Sequence, residues 1–600
     1  MKDFFVYNVV EYLERNDMIN FLSTSRFTYS FMNIFYENFK IYINESNFDE
    51  VQKFINKYKM LDIRFDELSD KHLDFLKNGI PPNITGLYIY CQSNYELNVP
   101  NGLNYLVFNE FDDFNNKIYL PDSIQELYFG CKFNHAVTLP KNLRVLEFSR
   151  YSEFNQNIIL PDSLEELHIG KSFNKKLKLP KNLKVFNFIH ADKFNQIVDL
   201  PDSIKKLYIG KGFNKKFICP NNLEILKFDL SNQYDKELIL PESIKKLCLG
   251  NSFNKDIYLP KNLEILKFPY YSKFDKKLFL NENIKKLVFG ETFNNFIEIP
   301  HGIEFIKFGG CFNQKIDLPN TIKTLQFGDR FNQEIDLPEG IEDLEFSSCF
   351  NKQINLPDSI KKLVFRNDFN KEIKPPLNLK TLRFGRCFSQ DIDLSACKCL
   401  EELYLGDNFN NKLNLPESLK ELHFGVNFNK KLNVPESLKK LCFDIDSIFN
   451  QKIKIPENSK LTELWLGEYF NKKIKIPQNL ETLIFSEYSK FNKKLHISNK
   501  NNLQSISFGK YFNKEITIPI SVKKIEFVNN SRFNNNIIIP SDSQLETIKL
   551  GKKFSSTLEL NNNLREICFH KKAKPDFQFN RTGYKLSYYY DYGSICLTIE

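Results

Sequence analysis

Residues Phe312 to Arg330 read FNQKIDLPNTIKTLQFGDR, and most of the chain is a variation on that sentence. A Phe-Asn pair, or Tyr-Asp, Phe-Asp or Phe-Ser in its place, opens a copy 23 times between Phe114 and Phe554. Successive copies start 19 or 21 residues apart. Self-similarity at such a period marks a solenoid, in which each coil buries its apolar face against its neighbours.

Counting the opening Phe as position 0, apolar side chains recur at positions 4, 6, 10, 13 and 15. In this copy they are Ile316, Leu318, Ile322, Leu325 and Phe327. The 4/6 and 13/15 pairs alternate with polar or variable residues, which predicts two short, half-buried strands per coil. Pro319 at position 7 ends the first strand, because proline has no amide to donate. Glycine at position 16 (Gly328, Gly170, Gly210) is expected where the turn after the second strand needs a positive φ. Asparagine at position 1 (Asn134, Asn155, Asn174) is expected to satisfy turn amides of the adjacent coil. In some of the longer coils the extra residues follow the second strand, as in FSRYSEF at 148–154, FPYYSKF at 268–274 and FSEYSKF at 485–491. In others they follow position 7, as in PENSKL at 456–461 and PSDSQL at 540–545. Such insertions map to solenoid edges, where partners often bind.

Ahead of the array the periodicity is helical. Val6, Val9, Val10 and Leu13 form one apolar stripe, and Asn16-Asp17 can cap a second short helix through Met18, Ile19, Phe21 and Leu22. A third apolar run follows through Phe27, Tyr29, Phe31, Met32 and Phe35. The spacing of Phe48, Val51, Phe54, Ile55 and Tyr58 predicts further helix, which Gly79-Ile80-Pro81-Pro82 stops. A degenerate first coil follows at Ile84, Leu87 and Ile89. From Lys571 the repeat is abandoned, and alternating Tyr584, Leu586, Tyr588 and Tyr590 predict a final strand or hairpin that caps the core.

Two resemblances follow from these residues. The run VVEYLERNDMINFLSTSRFTYSFMN resembles an F-box: Tyr12-Leu13 and Asp17 match that pattern, and Ser25-Arg26-Phe27 matches loosely. The opening Leu-Pro of the F-box is absent, its place falling at Met1-Lys2. The coils resemble FNIP repeats, a leucine-rich-repeat-like family of amoebae and their giant viruses in which arrays often stand behind an F-box. The F-box resemblance implies binding to the cullin adaptor of a ubiquitin ligase through Val9, Val10, Leu13, Asp17, Phe21 and Phe27. The FNIP resemblance, with a composition heavy in Asn, Lys, Ile and Phe, suggests a viral source.

The expected fold class is α+β, a small N-terminal helical F-box-like module followed by a long leucine-rich-repeat-like β-solenoid. Its domains are 1–45 (F-box-like module), 46–82 (helical linker and cap), 83–570 (repeat solenoid) and 571–600 (C-terminal cap).

Composition and motifs point away from catalysis. Twelve cysteines in 600 residues are too sparse for a disulfide scaffold. Cys397 and Cys399 form one CxC pair with no second pair at zinc-ligand spacing, so no metal or cofactor is expected. Cys311, Cys349 and Cys387 share a column two coils apart, too distant to bridge. His168 and His423 stand in remote coils, and Gly210-Lys211-Gly212 lacks phosphate-loop spacing. Asp3, Glu11 and Glu14 interrupt the N-terminal apolar stretch, so no signal peptide is expected there. No run of 18 apolar residues exists, and the expected location is the cytoplasm, with the nucleus left open.

Binding surface remains. Position 14 lies between the buried positions 13 and 15 and faces outward, yet it carries Tyr128, Tyr208, Tyr404 and the sole tryptophan, Trp465. Exposed aromatics are enriched at binding hot spots. Lysine rows at positions 2–3 (Lys175-Lys176) and 11–12 (Lys205-Lys206, Lys245-Lys246, Lys361-Lys362) lack regular aromatic interleaving, which favours a solvated face over nucleic acid. The net charge of +9 is modest for this length. The expectation is a non-catalytic scaffold, the substrate-recognition subunit of a cullin-type ligase, whose solenoid holds an unidentified target protein. The rivals are a repeat scaffold with a helical cap and no ubiquitin role and, further off, a basic nucleic-acid-binding solenoid.

Overall fold

The computed structural model describes residues 40–43, 61–65, 74, 76, 84–89, 96–498, 500–560, 563–573, 575–579, 586–591 and 594–599. The chain divides into two compact units, Met1–Ile284 and Lys285–Glu600.

In the first unit a parallel ladder runs from Lys40–Ile43 through Leu61–Phe65, Ile84–Ile89 and Tyr105–Phe108. It continues with one short strand per coil to Ile265–Lys267. In the second unit a parallel ladder of the same kind runs from Lys286–Val288 to Glu566–His570. Register is fixed by position 13: Leu287, Ile306, Leu325, Leu344 and Leu363 stand opposite one another in successive strands. A slip of one residue would turn that whole column outward, so burial enforces the pairing.

The core of each unit is made of columns. In the reference coil Phe312, Ile322, Leu325 and Phe327 are fully buried, and a buried Leu or Phe contributes about 1.5–3 kcal/mol relative to its exposed form. The two Phe columns interleave: Phe327 stacks on Phe331 of the next coil at 3.8 Å between ring centroids, and Phe312 on Phe331 at 6.2 Å. Position 6 is only half-buried (Leu318), so the core has fewer full columns than the apolar pattern implies.

Asparagine links the coils as the sequence implies. The Asn332 amide donates to Asn313 Oδ1 at 2.9 Å, the Asn351 amide to Asn332 Oδ1 at 3.0 Å, and the Asn370 amide to Asn351 Oδ1 at 3.0 Å. Each side chain thus satisfies the turn amide of the next coil, which the ladder leaves unpaired.

Several expectations are corrected. The α+β class with a helical N-terminal module is overturned, because the described residues form a β-solenoid in which only Asp74 and Leu76 have helical geometry. The strands Lys40–Ile43 and Leu61–Phe65 belong to the ladder, inside the spans read as F-box-like module and helical linker. KIYI and LDIRF alternate with period two, but each is too short to stand out beside helical runs, and parallel partners decide the outcome. The remaining F-box residues, Val9, Val10, Leu13, Asp17, Phe21 and Phe27 among them, lie outside the described residues.

The first of the two strands predicted per coil, at positions 4 and 6, is regular only in places, such as Leu97–Asn98 with Ile118–Tyr119 and Leu432–Asn433 with Ile453–Lys454. The proline that follows removes the next donor, so pairing stops after two residues. Glycine at position 16 is explained by closeness rather than by φ. A Cβ on Gly328 would run into the Gly309 backbone carbonyl, and one on Gly170 into that of Ser149. Among the described glycines only Gly102 and Gly302 have positive φ.

At the C-terminal end Leu586–Asp591 and Ser594–Ile599 form an antiparallel hairpin, and Ser594–Ile599 also pairs antiparallel with Glu566–His570. A disulfide joins Cys568 to Cys596 across that last pairing. It is a single clasp at one end, so the composition argument against a disulfide framework did not reveal it.

Candidate interaction surfaces

Position 14 faces away from the core in both units, because its neighbours at 13 and 15 point inward along a pleated strand. In the first unit Tyr128 and Tyr208 do not meet, since Glu147, His168 and Asn187 lie between them in the ladder. The Tyr128 hydroxyl donates to Glu126 Oε2 at 3.0 Å, and burial together with the Glu126 charge pushes its phenol well above the ordinary range. Burial also raises Tyr208. Both hydroxyls therefore stay protonated at neutral pH.

In the second unit the same position builds a strip of consecutive residues in which Cys442 is buried between half-buried His423 and exposed Trp465. Tyr404, His423, Cys442, Trp465 and Ile484 occupy register positions on consecutive strands. The Tyr404 ring stacks on His423 at 4.2 Å between centroids, with 11° between the planes. The Arg383 guanidinium lies 4.0 Å from the Tyr404 ring centre, and Lys440 Nζ lies 5.5 Å from Trp465. The Tyr404 hydroxyl donates to Glu421 at 3.3 Å. Trp465 is 40% exposed. Burial first, and Lys440 and Arg383 besides, outweigh the pull of Glu421 and push the His423 pKa down, so its imidazole is neutral at pH 7. Its Nε2 is buried without a hydrogen-bond partner. The strip combines ring faces, fixed cations and a rigid backbone, the ingredients of a polypeptide-binding hot spot.

A second surface was not foreseen. In the first unit a groove of about 1030 Å³ runs along the edge where the strands begin. Positions 9 and 11 line it, with Arg144, Glu165, Lys184, Lys205, Glu224 and Lys245 along one side. These charges pair across coils: Arg144–Glu165 at 3.2 Å, Lys184–Glu165 at 2.9 Å and Lys245–Glu224 at 3.1 Å. The lysine row foreseen at positions 11–12 is therefore, at position 11, interrupted by carboxylates that each bridge flanking cations, and hydrogen bonding to Lys184 and Arg144 holds Glu165 below the usual carboxylate range. The groove's Asn and Ser side chains serve the backbone, Asn142 Nδ2 donating to Asp122 O and Ser163 Oγ to Leu143 O.

A third surface lies at position 5 of four consecutive coils, where Ile218, Ile239, Tyr258 and Phe279 are 81–92% exposed. The extra residues after the second strand are structural as well. Their serine is buried and accepts the amide of the next opening Phe, as in Ser152 to Phe154 at 3.1 Å and Ser531 to Phe533 at 3.1 Å.

Among the described residues the nearest approach to a metal-ligand set is Glu566, Cys568 and Cys596, whose two sulfurs are bonded to each other. Cys397 is buried, and burial pushes its thiol up to about 11. No helix among the described residues is long and apolar enough to cross a membrane.

Parallel coils, stacked columns of buried Leu, Ile and Phe, and an outward strand face define the class: a leucine-rich-repeat-like β-solenoid. The FNIP Repeat model matches residues 94–132, 133–172, 154–190, 232–271, 312–349 and 412–444. The crystal structure of CroV588, a circular leucine-rich-repeat protein, is similar at a TM-score of 0.62 and 31% identity over 83% of each chain. YopM from Yersinia enterocolitica WA-314 gives a TM-score of 0.41 at 18% identity over 67% of this chain and 87% of its own. No curated protein matches the sequence. The chain belongs to the FNIP-repeat family of leucine-rich-repeat-like solenoid proteins.

Proposed function

We propose that the chain is a non-catalytic scaffold that holds a partner polypeptide on the outward strand face of its second unit. The observation that carries this reading is the strip Tyr404–His423–Cys442–Trp465–Ile484, with Arg383 over one end. A solenoid suits the task because its core is built locally, coil by coil, and leaves the strand face free to vary. Trp465 is the only tryptophan, so emission excited beyond the tyrosine absorption band reports on this surface alone. The test selects peptides from a random display library against the full chain and follows Trp465 emission during titration. Selected peptides are expected to shift the emission and to lose at least tenfold in affinity on Tyr404→Ala, a hot-spot effect. Peptides that bind tightly without either change would place the binding surface elsewhere.

The finer reading makes the partner a ligase substrate and the N-terminal segment a contact for a cullin adaptor. It is supported by Tyr12-Leu13 and Asp17 in the sequence. Capture of the adaptor by the full chain, lost in Leu13→Asp while the solenoid still melts as before, is the expected result. No capture at micromolar concentration would leave the scaffold without a ubiquitin role.

A further inference from the structure

The ladder strands Ser505–Phe508, Lys524–Phe527, Thr547–Leu550 and Glu566–His570 pair in succession, so the turns that follow them stack at about 4.8 Å per coil. Backbone hydrogen bonds join the first three of these turns: Arg532 N donates to Lys510 O at 2.8 Å, and Lys552 N to Asn529 O at 3.0 Å. The turns are Gly509–Tyr511, Val528–Arg532, Gly551–Lys553 and Lys571–Ala573, and they contain no Asp or Glu. They contain six cations, Lys510, Arg532, Lys552, Lys553, Lys571 and Lys572. Among the described residues none of the six has an ion-pair partner, unlike the lysines at positions 11–12.

Like charges stacked one coil apart repel, and the effect is felt by a neighbour. After burial, Lys552, Lys572 and Lys571 are what lower the pKa of His570. Such an array costs the fold free energy unless an anion neutralises it. Tyrosines interleave the cations. Lys510 Nζ stands 5.5 Å from the Tyr488 ring centre and 5.4 Å from that of Tyr511, and the Arg532 guanidinium lies 4.6 Å from Tyr511. Tyr488 is half exposed. Regular interleaving of this kind is what the lysine rows at positions 2–3 and 11–12 lack. A phosphate row alone would suit any polyanion, whereas rings and a guanidinium plane also offer faces on which unpaired bases stack.

We propose that this edge of the second unit binds single-stranded nucleic acid, the six cations taking phosphates and Tyr488, Tyr511 and Arg532 offering stacking faces. The test is fluorescence anisotropy of a labelled oligodeoxythymidylate with the full chain at 50 to 200 mM salt. Neutralising about six phosphates predicts a log–log salt slope near −4, a loss of a few hundredfold across that range. Lys552→Ala/Lys553→Ala/Lys571→Ala/Lys572→Ala should reduce the slope to roughly −1.4, while Lys175→Ala/Lys176→Ala leaves it unchanged. Tyr488→Ala, at an exposed position that the core does not need, should weaken binding by at least about fivefold if bases stack there. No binding at 50 mM salt, or an unchanged slope in the quadruple variant, would overturn the proposal. Equal affinity for polyglutamate with no loss in Tyr488→Ala would also overturn it and assign the edge to an acidic polypeptide.

Discussion

Replacing Asn332 by alanine removes one rung of the asparagine ladder and leaves the rest of its coil untouched. Asn332 Oδ1 is the acceptor for the Asn351 amide at 3.0 Å, and alanine offers that amide nothing. A buried donor without a partner costs about 1–3 kcal/mol, and because Asn351 is half-buried the lower part of that range, about 1–2 kcal/mol, applies. That is a five- to thirtyfold increase in local opening. Coils communicate only with their neighbours, so the change should stay local rather than lower the melting point of the whole chain. The assay is hydrogen exchange on peptides spanning 346–355, with 440–449 as a remote control. Asn332→Asp supplies the internal standard, because a carboxylate already serves in this column: Asp235 Oδ1 accepts the Asn254 amide at 3.1 Å. Aspartate should therefore exchange nearly as slowly as wild type. If aspartate proves as disruptive as alanine, or alanine has no effect, the ladder is not what holds these turns.

Three further outcomes follow from the packing. Gly328→Ala forces a Cβ against the Gly309 carbonyl and should destabilise the second unit by about 1–3 kcal/mol, read as earlier onset in guanidinium unfolding. Cys596→Ser removes the clasp between Glu566–His570 and the C-terminal hairpin, and limited proteolysis should then release the hairpin while the preceding coils stay resistant. Burial pushes the Cys219 and Cys442 thiols up to about 12, so at pH 8 they hold almost no thiolate, and alkylation of the native chain should spare them while labelling exposed Cys349 and Cys399.

Much of the solenoid could be read directly because its contacts recur at a fixed separation. Residue 332 meets 313 and 351 because each lies one coil away, and a period that is visible in the sequence names those partners. The buried columns at Phe312, Ile322, Leu325 and Phe327 were legible for the same reason. What stayed hidden depends on distances that the period does not encode. The glycine at 328 is needed because a neighbouring backbone comes close, not because of its own φ. Exposed Ile218 and Ile239 look apolar in sequence but sit at an outward position, each between one buried and one half-buried neighbour. The strands at 40–43 and 61–65 carry too few residues to reveal period two, and only their parallel partners make them strands. The Tyr404–Trp465 strip was half legible: its aromatics were visible, but His423 and Arg383 join only through register and ring stacking. The basic edge was missed because its cations stand in the turns after the second strand and past the last repeat, outside the lysine rows at positions 2–3 and 11–12.

The account rests most directly on the outward strip as a polypeptide-binding surface, and Trp465 can test it without a label. Iodide quenching of its emission should be strong in the free chain, as 40% exposure beside Lys440 requires. A saturating selected peptide should suppress that quenching in wild type and fail to do so at the same concentration in Tyr404→Ala. Quenching that is unchanged by a tightly bound peptide would contradict the central claim and move the search to the groove or the exposed stripe of the first unit.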